Sequence, residues 1–275
     1  AALRDLGFAG HVVAGGQFAS LAADTLLRES PALDAVLGGE ADESIVRLAT
    51  ALCDGARLLE VPGIVLRQGT EMWRGPQPAK PRDLDALPFP TRETPAPSCS
   101  GIPTASLVAS RGCLGHCSFC SIAAFGALAE GPARRERSAG NVALEMARLA
   151  RERGTRFFVF QDDDFLGGGR AAGLARAAAL AAAFADERLP PIAFAIKARP
   201  DGIHPNVVEA LRRIGLVQVF LGIETASAPG LRAFDRTVTP AQGHAALATL
   251  HEAGVFVASN LMLWLPDGTL GDLHE

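Results

Sequence analysis

Three thiols stand within eight residues of one another in the run Ser110-Arg111-Gly112-Cys113-Leu114-Gly115-His116-Cys117-Ser118-Phe119-Cys120. Thiolates are soft donors, and C-x3-C-x2-C on one short loop converges on a single soft metal centre. A structural zinc ion closes all four of its positions. Three ligands therefore point to a centre that keeps one position open for a substrate or cofactor. His116 abuts Cys117 and is awkwardly placed for the same ion, while Cys53 and Cys99 reach it only if the chain folds back. A zinc or cluster module that merely braces the fold stays as the rival from another class. Cys53, on the tail of an amphipathic helix, reads as a small core hydrophobe. Cys99 reads as a loop residue. An odd count of five cysteines, three on one loop, argues against a secreted disulfide framework and for a reducing compartment, the cytoplasm.

Other polar residues stand at the ends of apolar runs. Asp162, Asp163 and Asp164 are adjacent carboxylates that repel one another unless they bind something cationic or cap neighbouring amides. Arg199 presents a planar fork suited to a carboxylate, with a surface ion pair as its plainer use. Glu224 ends another run, where a carboxylate seldom survives burial without a partner. The pairs Gly15-Gly16 and Gly38-Gly39 follow short apolar runs, as glycines do where a ligand approaches backbone or where a turn is tight. Gly167 to Gly169 lack the Lys and Ser/Thr of a phosphate loop, and His244 and His251 read as ordinary helix residues. No residue stands out as catalytic.

Elements that would position these groups follow from periodicity. Residues 1–73 read strand (His11 to Ala14), glycines, helix opening near Ser20, strand (Ala35 to Leu37), glycines, helix (Ile45, Leu48 and Leu52 on one face, Gly55 ending it), a parallel α/β pattern too short for a whole domain. Residues 74–102 form a proline-rich linker, expected to be extended and to wrap a surface. Residues 103–275 alternate five strands with helices: Ala105 to Ser110, Phe157 to Gln161, Ile192 to Ala198, Val217 to Ile223, and Val255 to Leu265, the last read as overlong. Val142, Met146 and Leu149 share one helical face, and Val207, Leu211 and Ile214 another. Pro205 and Pro240 sit at first helical positions, while Gly215 and Gly254 sit at helix ends. A parallel sheet covered by helices follows, doubly wound or curled into a barrel, with ligands at the carboxyl ends of its strands.

A C-x3-C-x2-C loop with an aromatic before its last cysteine, set after the first strand of a repeating β/α domain, resembles the radical S-adenosylmethionine (SAM) enzymes. Ser110-Arg111-Gly112-Cys113 matches the usual lead-in, with Leu114 where proline is common. Phe160-Gln161-Asp162-Asp163-Asp164-Phe165 resembles F-x-D-D-N-F, with Asp164 in place of Asn. Leu221-Gly222-Ile223-Glu224-Thr225-Ala226-Ser227 resembles G-I-E-S-G-S, departing at Thr225 and Ala226. Upstream, residues 13–20, 33–40 and 61–64 resemble the second half of the cobalamin-binding domain in the B12-dependent subclass. The resemblance implies a partial (β/α)6 barrel, truncated after about five strands, preceded by the C-terminal half of a Rossmann-like cobalamin-binding domain.

That resemblance also implies cofactors and roles. Cys113, Cys117 and Cys120 would hold a 4Fe–4S cluster whose fourth iron chelates SAM. Phe119 would lie against the adenine, and Asp162, Asp163, Arg199 and Glu224 would contact SAM, with Asp162 and Asp163 the best matches among the carboxylates. Gly15, Gly16, Gly38 and Gly39 would admit a corrin tail. The implied activity is reductive cleavage of SAM to a 5′-deoxyadenosyl radical, followed by methylation of an unactivated carbon from methylcobalamin. Cyclisation, oxidation or ring contraction are the other outcomes in the subclass. Implied partners are a small-molecule or peptide substrate and an electron donor such as flavodoxin or ferredoxin.

Composition bounds the rest. The chain has 275 residues, 48% hydrophobic and 20% charged, with net charge −4. It offers no basic footprint for nucleic acid or an anionic membrane. Lys80 and Lys197 are the only lysines. The longest alanine-rich stretch falls short of the ~20 apolar residues of a membrane span. The absent initiator methionine, the half-sized first block and the missing sixth strand lead us to expect a segment of a longer enzyme, with Asp267 to Glu275 leading toward a further strand.

Overall fold

The computed structural model describes residues 2–92 and 97–262. The chain divides into two compact units, Ala1–Arg82 with Cys120–Ala133, and Asp83–Phe119 with Arg134–Glu275.

The first unit contains α1 (Ala2–Asp5), β1 (Val13–Gly15), α2 (Gly16–Leu21), α3 (Ala23–Glu29), β2 (Ala35–Leu37), α4 (Ser44–Asp54), β3 (Ile64–Gln68), β4 (Glu71–Arg74) and α5 (Ser121–Gly126). Its sheet runs β1-β2-β3-β4. Alternation along the strands buries both faces. Ala35, Leu37 and Ile64 pack with Leu48 and Ala51 of α4, while Val36 and Val65 pack with Ala19, Ala23 and Leu27 of α2 and α3.

The two strands expected to be parallel, β1 and β2, are parallel. Two further strands that the pattern did not show make the sheet mixed, since β2–β3 and β3–β4 are antiparallel. Two residues, Gly69 (φ +62°) and Thr70, join β3 to β4, and a connection that short makes a hairpin, never a parallel crossover. The expected starts of the first strand and of the helix after it need correction. The first strand spans Val13–Gly15, so His11 lies outside it. The following helix opens at Gly16, because the Ser20 hydroxyl does not cap a helix start. It donates to the Gly16 carbonyl at 2.7 Å and accepts the Gly39 N–H at 3.0 Å. Gly55 ends α4 in the left-handed conformation, as its position suggests.

The second unit contains β5 (Ser98–Cys99), β6 (Ile102–Leu107), β7 (Ser110–Arg111), β8 (Arg135–Glu136), α6 (Ala139–Arg153), β9 (Phe157–Phe160), α7 (Arg170–Asp186), β10 (Ala193–Ala198), α8 (Pro205–Arg213), β11 (Leu216–Leu221), α9 (Ala228–Ala233), α10 (Pro240–Glu252) and β12 (Phe256–Ala258). The sheet order is β12-β11-β10-β9-β6-β5, parallel throughout except for the β5 edge. A doubly wound sheet reverses its strand order at a switch point. Here β6, β9, β10, β11 and β12 follow one another in chain order, the winding of a barrel left open. Leu107, Phe158, Phe160, Phe194, Ile196 and Leu221 pack with Met146, Leu180 and Leu211 of the helices. By strand alternation Ser106, Lys197 and Gln218 stand on the opposite face.

Pro205 and Pro240 open α8 and α10, the latter with a capping box between Thr239 and Gln242. The first parallel strand of this unit, β6, spans Ile102–Leu107, and its register with β9 pairs Thr104 with Phe157 and Leu107 with Phe160. Ser110 and Arg111 belong to a separate two-residue strand paired with β8. The last expected strand shortens to Phe256–Ala258, and its remainder from residue 263, like the expected connection at Asp267 to Glu275, lies outside the described residues. In the proline-rich stretch, residues 75–92 form no helix or strand, and Asp85 accepts the Ser138 N–H at 2.9 Å. Pro95 lies outside the described residues. Among the described residues, no helix is long and apolar enough to cross a membrane.

Phe194 is fully buried and sits edge-on to Phe160, with ring centroids 5.8 Å apart. Phe194→Ala leaves a cavity at the centre of the parallel sheet and should lower unfolding free energy by about 3 to 5 kcal/mol, measured by urea denaturation.

Candidate functional site

The cysteine loop has little regular structure, so other elements must hold it. Its entry is set by the residues after β9. The Asp162 carboxylate, fully buried, accepts the Ala109 N–H at 3.0 Å and the Ser110 hydroxyl at 2.5 Å. The Gln161 N–H donates to the Leu107 carbonyl at 2.7 Å, and Asp163 accepts the Gly112 N–H at 3.1 Å. Burial pushes the Asp162 carboxyl above its ordinary range, against the pull of its two donors and of Arg176 and Arg134. Asp164 is also raised by burial and accepts the Gly167 N–H. The three carboxylates thus do different things: Asp162 and Asp163 hold loop backbone, and Asp164 caps the glycine turn that follows it.

The exit of the loop docks on the end of α9. The Ser118 N–H donates to the Phe234 carbonyl at 3.0 Å, and its hydroxyl to the Ala233 carbonyl at 3.1 Å. Phe119 stands edge-on to Phe234 at 5.2 Å between centroids and stays 45% exposed, leaving much of its ring open to a ligand.

Two of the three sulfurs accept N–H donors. The Cys113 sulfur takes the Gly115 N–H at 3.3 Å. Gly115 lets the Arg199 guanidinium approach, since a Cβ there would displace it, and lies close to the same sulfur. Burial raises the Cys113 thiol pKa, the Gly115 N–H and Arg199 oppose this, and Asp164 and Cys117 add to it. Cys117 takes a hydrogen bond from Arg236 Nη1 at 3.6 Å. Cys120 is the extended residue preceding α5, where the chain passes into the first unit. Among the described residues, no three of His, Cys, Asp and Glu are gathered to hold an ion. The structure gives Cys113 and Cys117 cationic neighbours, Arg199 and Arg236. The donor set itself, three free, partly exposed thiols with N–H donors on two of them, suits soft thiolate ligation.

Arg199 spends its fork inside the protein. It donates to both Asp201 oxygens at 3.0 and 2.9 Å and to the Thr237 hydroxyl at 2.9 Å, and Asp201 holds its pKa above the ordinary value. Glu224 has a left-handed backbone (φ +64°) and lies 3.7 Å from Arg236. Burial raises its carboxyl pKa and Arg236 lowers it. Arg236 was not legible as a site residue, because the elements that bring it to Cys117 are distant in sequence.

In the first unit, Gly38, Gly39, Gly63, Ser20 and Pro78 line a cavity of about 290 Å³. Gly39 (φ +78°) is required by packing, because a Cβ there would meet Pro78 at 2.7 Å. Around Gly16 (φ +87°) the space is open, and Gly15 has only the Leu37 carbonyl nearby.

Asp162→Asn keeps one acceptor oxygen but turns an amide NH2 toward the second buried donor, and should cost about 2 kcal/mol of stability. A raised native pKa means that the folded state binds this proton more tightly than the unfolded chain does. The carboxyl's contribution to stability is therefore greatest in acid and declines as pH rises past about 4 toward the raised value. Urea denaturation across this range should show the wild-type advantage over D162N narrowing as pH rises, and a widening gap would contradict the assignment.

Comparison with known proteins fits this geometry. Over 261 residues, 94% of this chain and 55% of the relative, it is 27% identical to an uncharacterized methyltransferase of Pyrococcus horikoshii. It is 29% identical over 256 residues to the hopanoid C-3 methylase of Methylococcus capsulatus, covering 90% of this chain and 46% of that protein. The chain spans about half the length of the curated relatives it matches. Among solved structures, the cobalamin-dependent SAM radical enzyme OxsB, with aqua-cobalamin and SAM bound, superposes with a TM-score of 0.75. At 17% identity, covering 99% of this chain and 39% of OxsB, that likeness is one of fold. Residues 107–275 match the family model of the radical SAM superfamily, and the chain belongs to that superfamily.

Proposed function

We propose that this chain acts as a cobalamin-dependent radical SAM enzyme of the cytoplasm, methylating an unactivated carbon of a small-molecule or peptide substrate. The observation that carries the proposal is the C-x3-C-x2-C loop leaving the carboxyl end of the first parallel strand, with N–H donors on two of its sulfurs. Cobalamin use is supported by the fold shared with OxsB across both units, and methyl transfer by the methyltransferase and C-3 methylase relatives.

Cys113, Cys117 and Cys120 would ligate the 4Fe–4S cluster. Held there, such a cluster would supply one-electron reducing chemistry toward the sulfonium of bound SAM. The chain's own work is orientation. Asp162 and Asp163 fix the entry of the loop, and the Ala233 and Phe234 carbonyls fix its exit. We assign the exposed part of the Phe119 ring to the adenine and Glu224 to the ribose or amino groups of SAM. Asp162, Asp163 and Arg199 are already engaged by protein groups and would act on SAM chiefly by positioning. Residues 1–73 would form part of the corrinoid-binding unit, 74–102 the linker and 103–275 the radical core, with Gly15, Gly16 and Gly38 beside the corrin tail. Electrons would come from a flavodoxin or ferredoxin.

Anaerobic reconstitution with iron and sulfide tests this directly. A brown protein that releases 5′-deoxyadenosine from SAM under a strong reductant is expected, with release lost in the Cys113→Ala, Cys117→Ala and Cys120→Ala variants. A colourless protein with tightly bound stoichiometric zinc would establish the bracing module instead. Cobalamin use is tested on a chain extended at its N-terminus. Failure of that chain to retain a corrinoid would leave a radical SAM enzyme without B12.

A further inference from the structure

Arg236 is a cation whose burial the protein balances only in part. Its backbone N–H donates to the Leu231 carbonyl at 2.9 Å, tying it to the end of α9. Its side chain is 5% exposed. Nη1 lies 3.6 Å from the Cys117 sulfur and 3.7 Å from Glu224 Oε1, and Nη2 donates to the Gly222 carbonyl. Nε is buried with no partner among the described residues. Gly222 keeps room for this arrangement, because a Cβ there would lie 3.2 Å from Glu224 Oε1 and 3.6 Å from Arg236 Nη2.

A buried guanidinium needs close, hydrogen-bonded anions to offset its lost hydration. Among the described residues, the carboxylate paired with it, Glu224, stands beyond hydrogen-bond distance, and Nε is unspent. A neutral thiol does little for such a charge, whereas a thiolate bound to an iron–sulfur centre, and the added electron when that centre is reduced, do much more. We propose that Arg236 tunes the cluster: its guanidinium donates to the Cys117 sulfur and favours the reduced state, raising the reduction potential, while Glu224 opposes it and limits the rise. Hydrogen bonds to the ligating sulfurs and local net charge are established determinants of cluster potential. This inference rests on the reading of Cys117 as a cluster ligand.

The test is an EPR-monitored redox titration of the full chain, reconstituted anaerobically, with iron per protein measured alongside. Arg236→Gln should lower the midpoint, cutting the ratio of reduced to oxidised cluster at the wild-type midpoint by about tenfold, which for one electron is about 59 mV. Arg236→Lys, which keeps the charge, should recover part of that shift. Glu224→Gln should move the midpoint the other way. Equal midpoints for wild type and Arg236→Gln at equal iron content would overturn the proposal. Should Arg236→Gln fail to fold or to take up iron, Glu224→Gln decides: a raised midpoint supports the proposal and an unchanged one overturns it. A wild-type chain that assembles no cluster would instead overturn the reading of Cys117 on which it rests.

Discussion

A carboxylate removed from water at Asp162 is tolerable only because Ala109 and Ser110 supply donors to both of its oxygens, and that pairing fixes where the chain leaves β6. Everything downstream in the loop inherits this placement. β9 is anchored in the sheet by its register with β6 and β10, so the carboxylate that follows it is as rigid as the core beneath. A loop carrying three soft ligands cannot stiffen itself through helix or ladder bonds. Held at its entry by Asp162 and Asp163 and at its exit by the carbonyls after α9, it becomes a suspended segment whose geometry belongs to the barrel.

Arginine meets the same need around the loop. Arg134, Arg176, Arg137 and Arg236 are all largely buried, and each bridges several acceptors. Arg134 reaches the Asp164 and Phe165 carbonyls together, and Arg176 lies over the Phe165 ring while pairing with Glu136. A lysine ammonium is a compact, strongly hydrated point charge and cannot divide itself among fixed acceptors in this way. Arginines therefore gather behind and beside the loop, where strand ends expose carbonyls and buried carboxylates to one another.

Much of this was legible in the sequence, for local reasons. β2 and β9 stand out as apolar runs bounded by polar residues, Pro205 and Pro240 mark helix starts, and the cysteine spacing names its own chemistry. What escaped depends on pairings that no local pattern encodes. β7 and β8 are two residues each, too short for any periodicity, yet they frame the loop. The β3–β4 hairpin hid at the edge of a proline-rich stretch, so only the two parallel strands of the first sheet were read. Barrel winding could be separated from double winding only by strand order, and Arg236 gains its meaning only from Cys117, 119 residues away.

Glu224 shows how the barrel's last turns serve the site. A non-glycine residue at φ +64° carries a conformational cost of order 1 kcal/mol and persists only where its surroundings hold it. Those surroundings are visible. Its carbonyl accepts the Met262 N–H at 2.7 Å, and it bridges to Leu261 beyond β12. β11 has already ended at Leu221 when the chain reaches Glu224. There the Glu224 carboxylate stands against Arg236, which in turn faces Cys117. Strain at one residue is thus exchanged for a carboxylate, a guanidinium and a sulfur in line, each drawn from a different element, and the chain beyond β12 keeps that line in place.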